Sequence, residues 1–307
     1  MTDISSDAAS AEDPAANAPT GAEAAARPAA GADDWLSVNR ANWEDRSRVH
    51  AFSTFYDLPA FRAGRRQSTL RPFEPAELGD VAGKRLLHLQ CHMGQDTLSW
   101  ARRGAASVTG LDLSEHAVAT AASLAADTGL ADRARFVAAD VYTAAEALAG
   151  ELPYDVVYTG LGALVWLPDL DRWADTVARL LAPGGVLYLV EFHPFASVLD
   201  EDARTVARDY PEPGAQGVLQ DFPYTYTDGP RLENTVSVQW EHPLGEVLTA
   251  IGRSGLRLEF LHEHDHTLFE MFPALEPSPP DGGYRFPPGY PRLPLMYSLR
   301  ARRDATR

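Results

Sequence analysis

Leu86-Leu87-His88-Leu89-Gln90-Cys91-His92-Met93-Gly94-Gln95-Asp96-Thr97 is an unbroken apolar run that ends in a short turn with one glycine. A helix-forming segment, Leu98 to Arg103, follows, and Asp112 closes a second apolar run, Val108-Thr109-Gly110-Leu111. A strand feeding a tight turn, a helix, then an acidic residue after the next strand is the layout of a nucleoside-binding α/β unit. The turn brings backbone N–H groups close to the ligand, and the carboxylate accepts hydrogen bonds from ribose hydroxyls.

Outward from this unit the same rhythm continues. From Lys84 to Glu191 apolar runs alternate with helical patterns, the sign of βαβ units and a parallel sheet. The strand runs are Arg85–Leu89, Ser107–Leu111, Arg135–Ala138, Tyr154–Tyr158 and Val186–Phe192. Ser114 caps a helix from Glu115 to Thr128 that Gly129 closes. Pro168-Asp169 opens an amphipathic helix whose Leu170, Trp173, Val177, Leu180 and Leu181 share a face. The rhythm breaks over 195–240, where two short β-like runs, Tyr224–Thr227 and Asn234–Trp240, suggest an inserted cap. It returns with a helix from Pro243 to Ser254 and strands Leu256–His262 and Leu295–Arg302.

Ahead of the α/β array, residues 1–33 are mostly alanine with Pro, Gly, Ser and acids. Such a stretch cannot offset its ordering entropy by burial and reads as a disordered tail. Residues 34–83 read as an N-terminal helical pair, with Trp35, Val38, Asn39 and Asn42 at helical spacing and an aromatic-rich stretch from Phe52 to Phe61. It either packs on the main domain or forms a lid over a ligand mouth, and the two readings are compatible. The α/β domain itself spans 84–303.

Composition narrows the class. The chain has 307 residues, 43 acidic and 27 basic side chains and a formal net charge of −16, which disfavours nucleic acid and anionic membranes as partners. Cys91 is the single cysteine, excluding an internal disulfide framework, and no apolar stretch reaches a membrane span of roughly 20 residues. A cytoplasmic protein acting on a small molecule is expected, as monomer or homodimer. The single lysine, Lys84, excludes both a Tyr-x-x-x-Lys reductase site and a phosphate loop ending in Lys-Ser/Thr, and no Gly-x-Ser-x-Gly elbow is present. In His262-Glu263-His264-Asp265-His266 the three histidines share a face at strand spacing, but the run is read as a hydrogen-bonded strand end, with no metal site expected.

Five stretches in order carry a family resemblance: Leu86–Gly94, Gly110-Leu111-Asp112-Leu113-Ser114, Arg135–Val141, Tyr154–Tyr158 and Leu180–Gly185. The array resembles the class I S-adenosylmethionine-dependent methyltransferases, with small-molecule acceptors. The resemblance implies a Rossmann-like, doubly wound α/β fold. Its seven-stranded sheet would hold strand seven antiparallel between strands five and six, with an N-terminal helical lid and a cap after strand five. It assigns S-adenosylmethionine to Gln90, His92 and Gly94 at the methionine end, Asp112 at the ribose, and Leu113, Asp140 and Val141 at the adenine. Thr159 and Gly160 would face the sulfonium and the methyl acceptor. Catalytic candidates are Glu191 and His193 after strand five, and Tyr56 from the N-terminal segment. The family's first turn reads acid-x-Gly-x-Gly-x-Gly; here His88, Gln90 and His92 stand in place of the acid and the first two glycines. A similar turn occurs in actinobacterial-type methyltransferases. The implied activity is in-line methyl transfer to O, N or C of a small molecule of secondary metabolism. The alternative is a protein that binds the cofactor without transferring methyl, as a sensor or inactive partner.

Overall fold

The computed structural model describes residues 27–28, 34–151, 153–278 and 282–305. The tail expected over 1–33 lies outside these residues except for Arg27–Pro28, which pair antiparallel with Val218–Leu219.

Seven strands form the central sheet: β1 (Arg85–Leu89), β2 (Ser107–Asp112), β3 (Ala134–Ala138), β4 (Tyr154–Thr159), β5 (Leu181–Phe192), β6 (Leu256–His264) and β7 (Met296–Arg303). Their order across the sheet is β3-β2-β1-β4-β5-β7-β6. β1 to β5 run parallel, and β7 is antiparallel to both neighbours, between β5 and β6 as the resemblance implies. β5 begins earlier than its apolar run: Leu181 pairs with Tyr154, and pairing resumes at Val186 after the Gly184-Gly185 turn.

Side-chain alternation divides β1 between two cores. Leu87 and Leu89 join a cluster with Trp173, Val177, Leu180, Ile251 and Leu299. Leu86 turns the other way, toward Trp100, Tyr158, Tyr188 and Phe61. Both faces of the sheet are therefore covered, which is why the parallel strands read as continuous apolar runs rather than alternating ones. The helices α1 (Trp35–His50), α2 (Leu58–Arg62), α3 (Phe73–Leu78), α4 (Gln95–Arg102), α5 (Glu115–Asp127), α6 (Ala144–Ala147), α7 (Leu170–Leu180) and α8 (Leu244–Arg253) surround it. Ser114 caps α5 by accepting from Ala117 N, and Asp169 caps α7 by accepting from Arg172 N.

The stretch 34–83 divides in two. α3 packs on the sheet, where Glu74 accepts from Tyr158 Oη at 2.7 Å and Glu77 from Tyr188 Oη at 2.7 Å. α1 instead carries a buried polar stripe, Asn39, Asn42 and Arg46. Asn39 Nδ2 donates to Val238 O (2.9 Å) and its Oδ1 accepts from Val238 N (2.8 Å), so a side-chain amide acts as a short piece of strand. Asn42 Nδ2 donates to Asn234 O at 2.7 Å. The cap hairpin so held pairs Val218–Asp221 with Val236–Gln239. The run Tyr224–Thr227 is not a strand: it lies in the connection between them, bounded by Pro223 and Asp228-Gly229-Pro230, whose prolines cannot donate to a ladder.

The strand-end histidines are engaged within the protein. His262 Nδ1 meets Glu77 at 2.8 Å, and His264 Nε2 meets Ser298 Oγ at 2.9 Å while its ring stacks on Phe73. Among the described residues no group of three or more His, Cys, Asp or Glu is arranged to hold a metal, and no helix is long and apolar enough to cross a membrane.

The contact of β2 with Phe136 of β3 and Cys91 of the turn after β1 tolerates no added volume. A Cβ at Gly110 would lie 2.5 Å from Phe136 Cδ1 and 2.7 Å from Cys91 Sγ. Gly110→Ala is expected to destabilise the protein by about 1–3 kcal/mol through overpacking, read as a lower urea midpoint with an unchanged m-value.

Candidate active site

The carboxyl ends of β1 to β5 form one ledge, the edge at which α/β sheets take ligands. At the end of β1 the chain turns through left-handed conformations at Gln90 (φ 55°), His92 (φ 50°) and Gly94 (φ 74°). The first two are the positions where the resembled family has glycine. The backbone shape persists, held at a cost of about 1–3 kcal/mol for each non-glycine residue. At Gly94 a Cβ would lie 2.7 Å from Phe136 and 2.8 Å from Ala121 Cβ, so a side chain there would push α5 away.

Three interactions hold the turn. Cys91 N donates to Leu111 O at 3.0 Å. Asp112 Oδ2 accepts from His92 N at 2.7 Å while its Oδ1 accepts from Ser114 N at 3.0 Å. Gln90 Nε2 donates to Ala163 O at 2.9 Å, joining the turn to the loop after β4. Burial raises the Asp112 pKa to about 6, against the downward pull of the N–H groups of Ser114 and His92. Among the described residues, Gln90 Oε1 and Thr159 Oγ1, at the ends of β1 and β4, have no hydrogen-bond partner. Buried polar atoms without partners are costly, and two beside one turn suit a polar ligand that supplies donors. Leu113 and Val141 follow the ends of β2 and β3. Asp140 beside them accepts from Tyr142 N at 3.1 Å, and Gly160 lies against His88 and Tyr158.

α1 closes over the β2 end. Ser47 Oγ meets Ser114 Oγ at 2.9 Å, and Glu44 accepts from the N–H groups of Glu115 and His116 at the start of α5. Where α1, the turn, the loop after β4 and the cap converge, aromatic rings pack into a box. Trp43 lies 5.6 Å from His92 and 5.1 Å from Trp166, and Tyr56 lies 4.9 Å from His92 and 5.1 Å from His50. Tyr226 lies 4.8 Å from His50 and stacks on Phe269, which meets Phe192.

A hydrogen-bond chain runs through this box. Arg46 Nη1 donates to Thr225 Oγ1 at 3.3 Å, and Thr225 Oγ1 is hydrogen-bonded to His50 Nε2 at 2.7 Å. His50 Nδ1 is hydrogen-bonded in turn to His92 Nε2 at 3.1 Å. Burial depresses both imidazoles, His50 well below its usual value and His92 to about 3, so the pair is neutral at pH 7. Tyr56 Oη and Tyr226 Oη lie 2.5 Å apart, and burial raises both phenols, so both remain protonated.

Of the three catalytic candidates, Tyr56 lies in the box. Glu191 lies beneath its wall: Oε1 accepts from Ala163 N (2.6 Å) and Leu164 N (2.8 Å), Oε2 from Gly162 N (2.9 Å) and Phe192 N (2.8 Å). That geometry makes Glu191 the clasp of the loop carrying Trp166. His193 is also committed, with Nδ1 accepting from Phe195 N at 3.1 Å and Nε2 facing Glu263 Oε1 at 3.0 Å. The sequence reading missed Arg46, His50 and Thr225. The available signal was the spacing of Asn42, Arg46 and His50, four residues apart on one helix face.

Residues 86–185 match the family model described as a methyltransferase domain. The chain is 33% identical over 150 residues to the ubiquinone biosynthesis O-methyltransferase of Psychrobacter cryohalolentis, covering 47% of this chain and 56% of that protein. It is 36% identical over 132 residues to the 27-O-demethylrifamycin SV methyltransferase of Amycolatopsis mediterranei, covering 41% and 45%. The chain thus spans about half the length of these curated relatives. Among solved structures, a protein of echinomycin biosynthesis that converts a disulfide bond into a thioacetal group superposes with a TM-score of 0.51 at 21% identity, covering 89% of this chain and 94% of that one. A Listeria monocytogenes protein described as an S-adenosylmethionine dependent methyltransferase gives a TM-score of 0.51 at 16% identity, over 75% and 95%. These two establish the fold.

Glu191→Gln is expected to keep the fold and loosen the loop after β4, because an amide offers one oxygen where the carboxylate offers two. Amide exchange at Gly162, Ala163 and Leu164 should quicken by about tenfold or more, for a loss of about 1–3 kcal/mol, while β2 amides keep their protection.

Proposed function

We propose that this chain, which carries a class I S-adenosylmethionine-dependent methyltransferase domain, transfers the donor's methyl group in line to an O, N or C atom of a small molecule. The observation that carries this reading is the β1 turn: left-handed at Gln90 and His92 without glycine, and tied to the Asp112 carboxylate. A fold that needed only a β-to-α connection would have no reason to keep that backbone at that cost.

Bound S-adenosylmethionine supplies an electrophilic methyl group on a positively charged sulfur. In this reading Asp112 accepts from the ribose hydroxyls and Asp140 from the adenine amino group, with Leu113 and Val141 on either side of the base. Gln90 Oε1 and Thr159 Oγ1, both without a partner among the described residues, accept hydrogen bonds from polar groups of the bound ligand. His92 and Gly94 shape the turn against the methionine. Ring faces of Trp43, Tyr56 and Tyr226 exclude water and complement a cation. Tyr56, protonated at neutral pH, donates to the acceptor and orients it. Alignment of reactants can supply up to about 7–11 kcal/mol of the barrier, so a strong base is not required for a readily ionised acceptor. The names of the curated relatives, which include O-methyltransferases of small molecules, support this acceptor class.

The test is calorimetry with S-adenosylhomocysteine, followed by transfer of labelled methyl from S-adenosylmethionine into small-molecule pools. Heat without transfer to any pool would mark a binding protein, and heat only with a nicotinamide dinucleotide would overturn the reading. Asp112→Ala should weaken S-adenosylhomocysteine by about 10²-fold, the cost of losing an acceptor for two ligand hydroxyls. In the wild type the ionised carboxylate is the binding form and its pKa stands at about 6. Affinity should therefore be level above that pH and fall about tenfold per unit below it, a dependence that Asp112→Ala abolishes.

A further inference from the structure

Arg46 is 5% exposed, yet among the described residues no carboxylate neutralises it. Its protein partners are uncharged: Nε donates to Asn42 Oδ1 at 2.6 Å and Nη1 to Thr225 Oγ1 at 3.3 Å. Nη2 donates to no protein acceptor among the described residues. The guanidinium faces the rings of Trp43 and Trp166, 5.7 and 5.5 Å from their centroids, at the wall of the aromatic box. The chain treats its other shielded guanidiniums differently. Arg71 is paired with Glu74, and Arg300 and Arg302 share Glu259. A buried cation without a counter-ion is costly, and an approaching anion removes that cost.

We propose that Arg46 is an anion-binding residue of the site. It takes one carboxylate presented into the aromatic box, either from the amino-acid end of the methyl donor or from an acidic methyl acceptor. The inference rests on the adenosyl-donor reading above for the first source and on the box alone for the second. The free Nη2 completes the planar fork that matches a carboxylate, and the two indole faces hold that fork in place. His50 and His92, both neutral, add no competing charge, and the phenols of Tyr56 and Tyr226 stay protonated. The anion would thus meet one cation in a low-dielectric box, where a charge-assisted pair is strongest.

Calorimetry on the full chain separates the sources, with wild type, Arg46→Met and Arg46→Lys each titrated with four probes. S-adenosylhomocysteine carries the amino acid and 5′-methylthioadenosine lacks it; benzoate and benzamide, with and without saturating S-adenosylhomocysteine, probe an acidic acceptor. If the donor supplies the carboxylate, Arg46→Met should bind S-adenosylhomocysteine about 30-fold or more weakly and leave 5′-methylthioadenosine unchanged. If the acceptor supplies it, both nucleosides bind as in wild type and benzoate binding is lost, with benzamide indifferent. Arg46→Lys, which keeps the charge but not the fork, should fall between, and it serves alone should the methionine variant fail to fold. Variants that match wild type with all four probes overturn the proposal. A wild type that binds neither nucleoside overturns the donor reading instead, and the benzoate titration of ligand-free protein then decides Arg46.

Discussion

The hydrogen bond from His92 N to Asp112 Oδ2, 2.7 Å long, is the contact on which the ledge depends. It crosses from the turn after β1 to the end of β2 and fixes the one segment whose backbone is least willing to stay where it is. A left-handed residue with a side chain reverts to ordinary conformations unless its surroundings over-determine it. Here the surroundings do: the carboxylate below, Leu111 O holding Cys91 N, and Phe136 and Ala121 pressed against Gly94. The same carboxylate also accepts from Ser114 N, which opens α5. One buried acid thereby sets the turn and starts a helix.

α1 joins this ledge through polar rather than apolar contacts, and the choice has consequences. An apolar stripe would hold the helix by area and tolerate sliding. Asn39, paired both ways with the backbone of Val238, and Asn42 on Asn234 O admit a single register. That register delivers Trp43, Arg46 and His50 to the box, and Ser47 and Glu44 to the start of α5. The cap hairpin is carried by the same bonds, so helix and hairpin behave as one cover whose parts cannot move independently without leaving buried amides unsatisfied.

Much of this was legible in the sequence where a local rule had a global consequence. The apolar runs of β1, β2, β4 and β5 suit a sheet covered on both faces. Asp169 and Ser114 announced the starts of α7 and α5, and the terminal run from Met296 fell where an antiparallel seventh strand belongs. Asp112 was legible because an acid at a strand end stands out against its neighbours. The box was not, since its members come from six separate stretches and aromatic residues are ordinary core material until a fold gathers them. Tyr224–Thr227 misled because its composition suits a strand, whereas the prolines around it forbid one. Glu191 and His193 looked like a base pair beside the ledge because sequence gives position but not orientation. One points its carboxylate at four amides and the other turns to Glu263.

The electrostatics of the covered site follow from the same burial. Desolvation drives each group inside toward neutrality: imidazoles lose their protons, phenols keep theirs, and even Asp112 is pulled toward the protonated form. A guanidinium cannot escape this way, since it stays charged at any pH the protein meets. The box is therefore a nearly neutral enclosure with one permanent positive charge at its wall, while the ledge beneath holds a titratable negative one. In the reading proposed above, a donor with a positively charged sulfur would be repelled by the first charge and attracted by the second, which would constrain its orientation in the enclosure. Salt screens such buried charges far less than it screens charges on the surface.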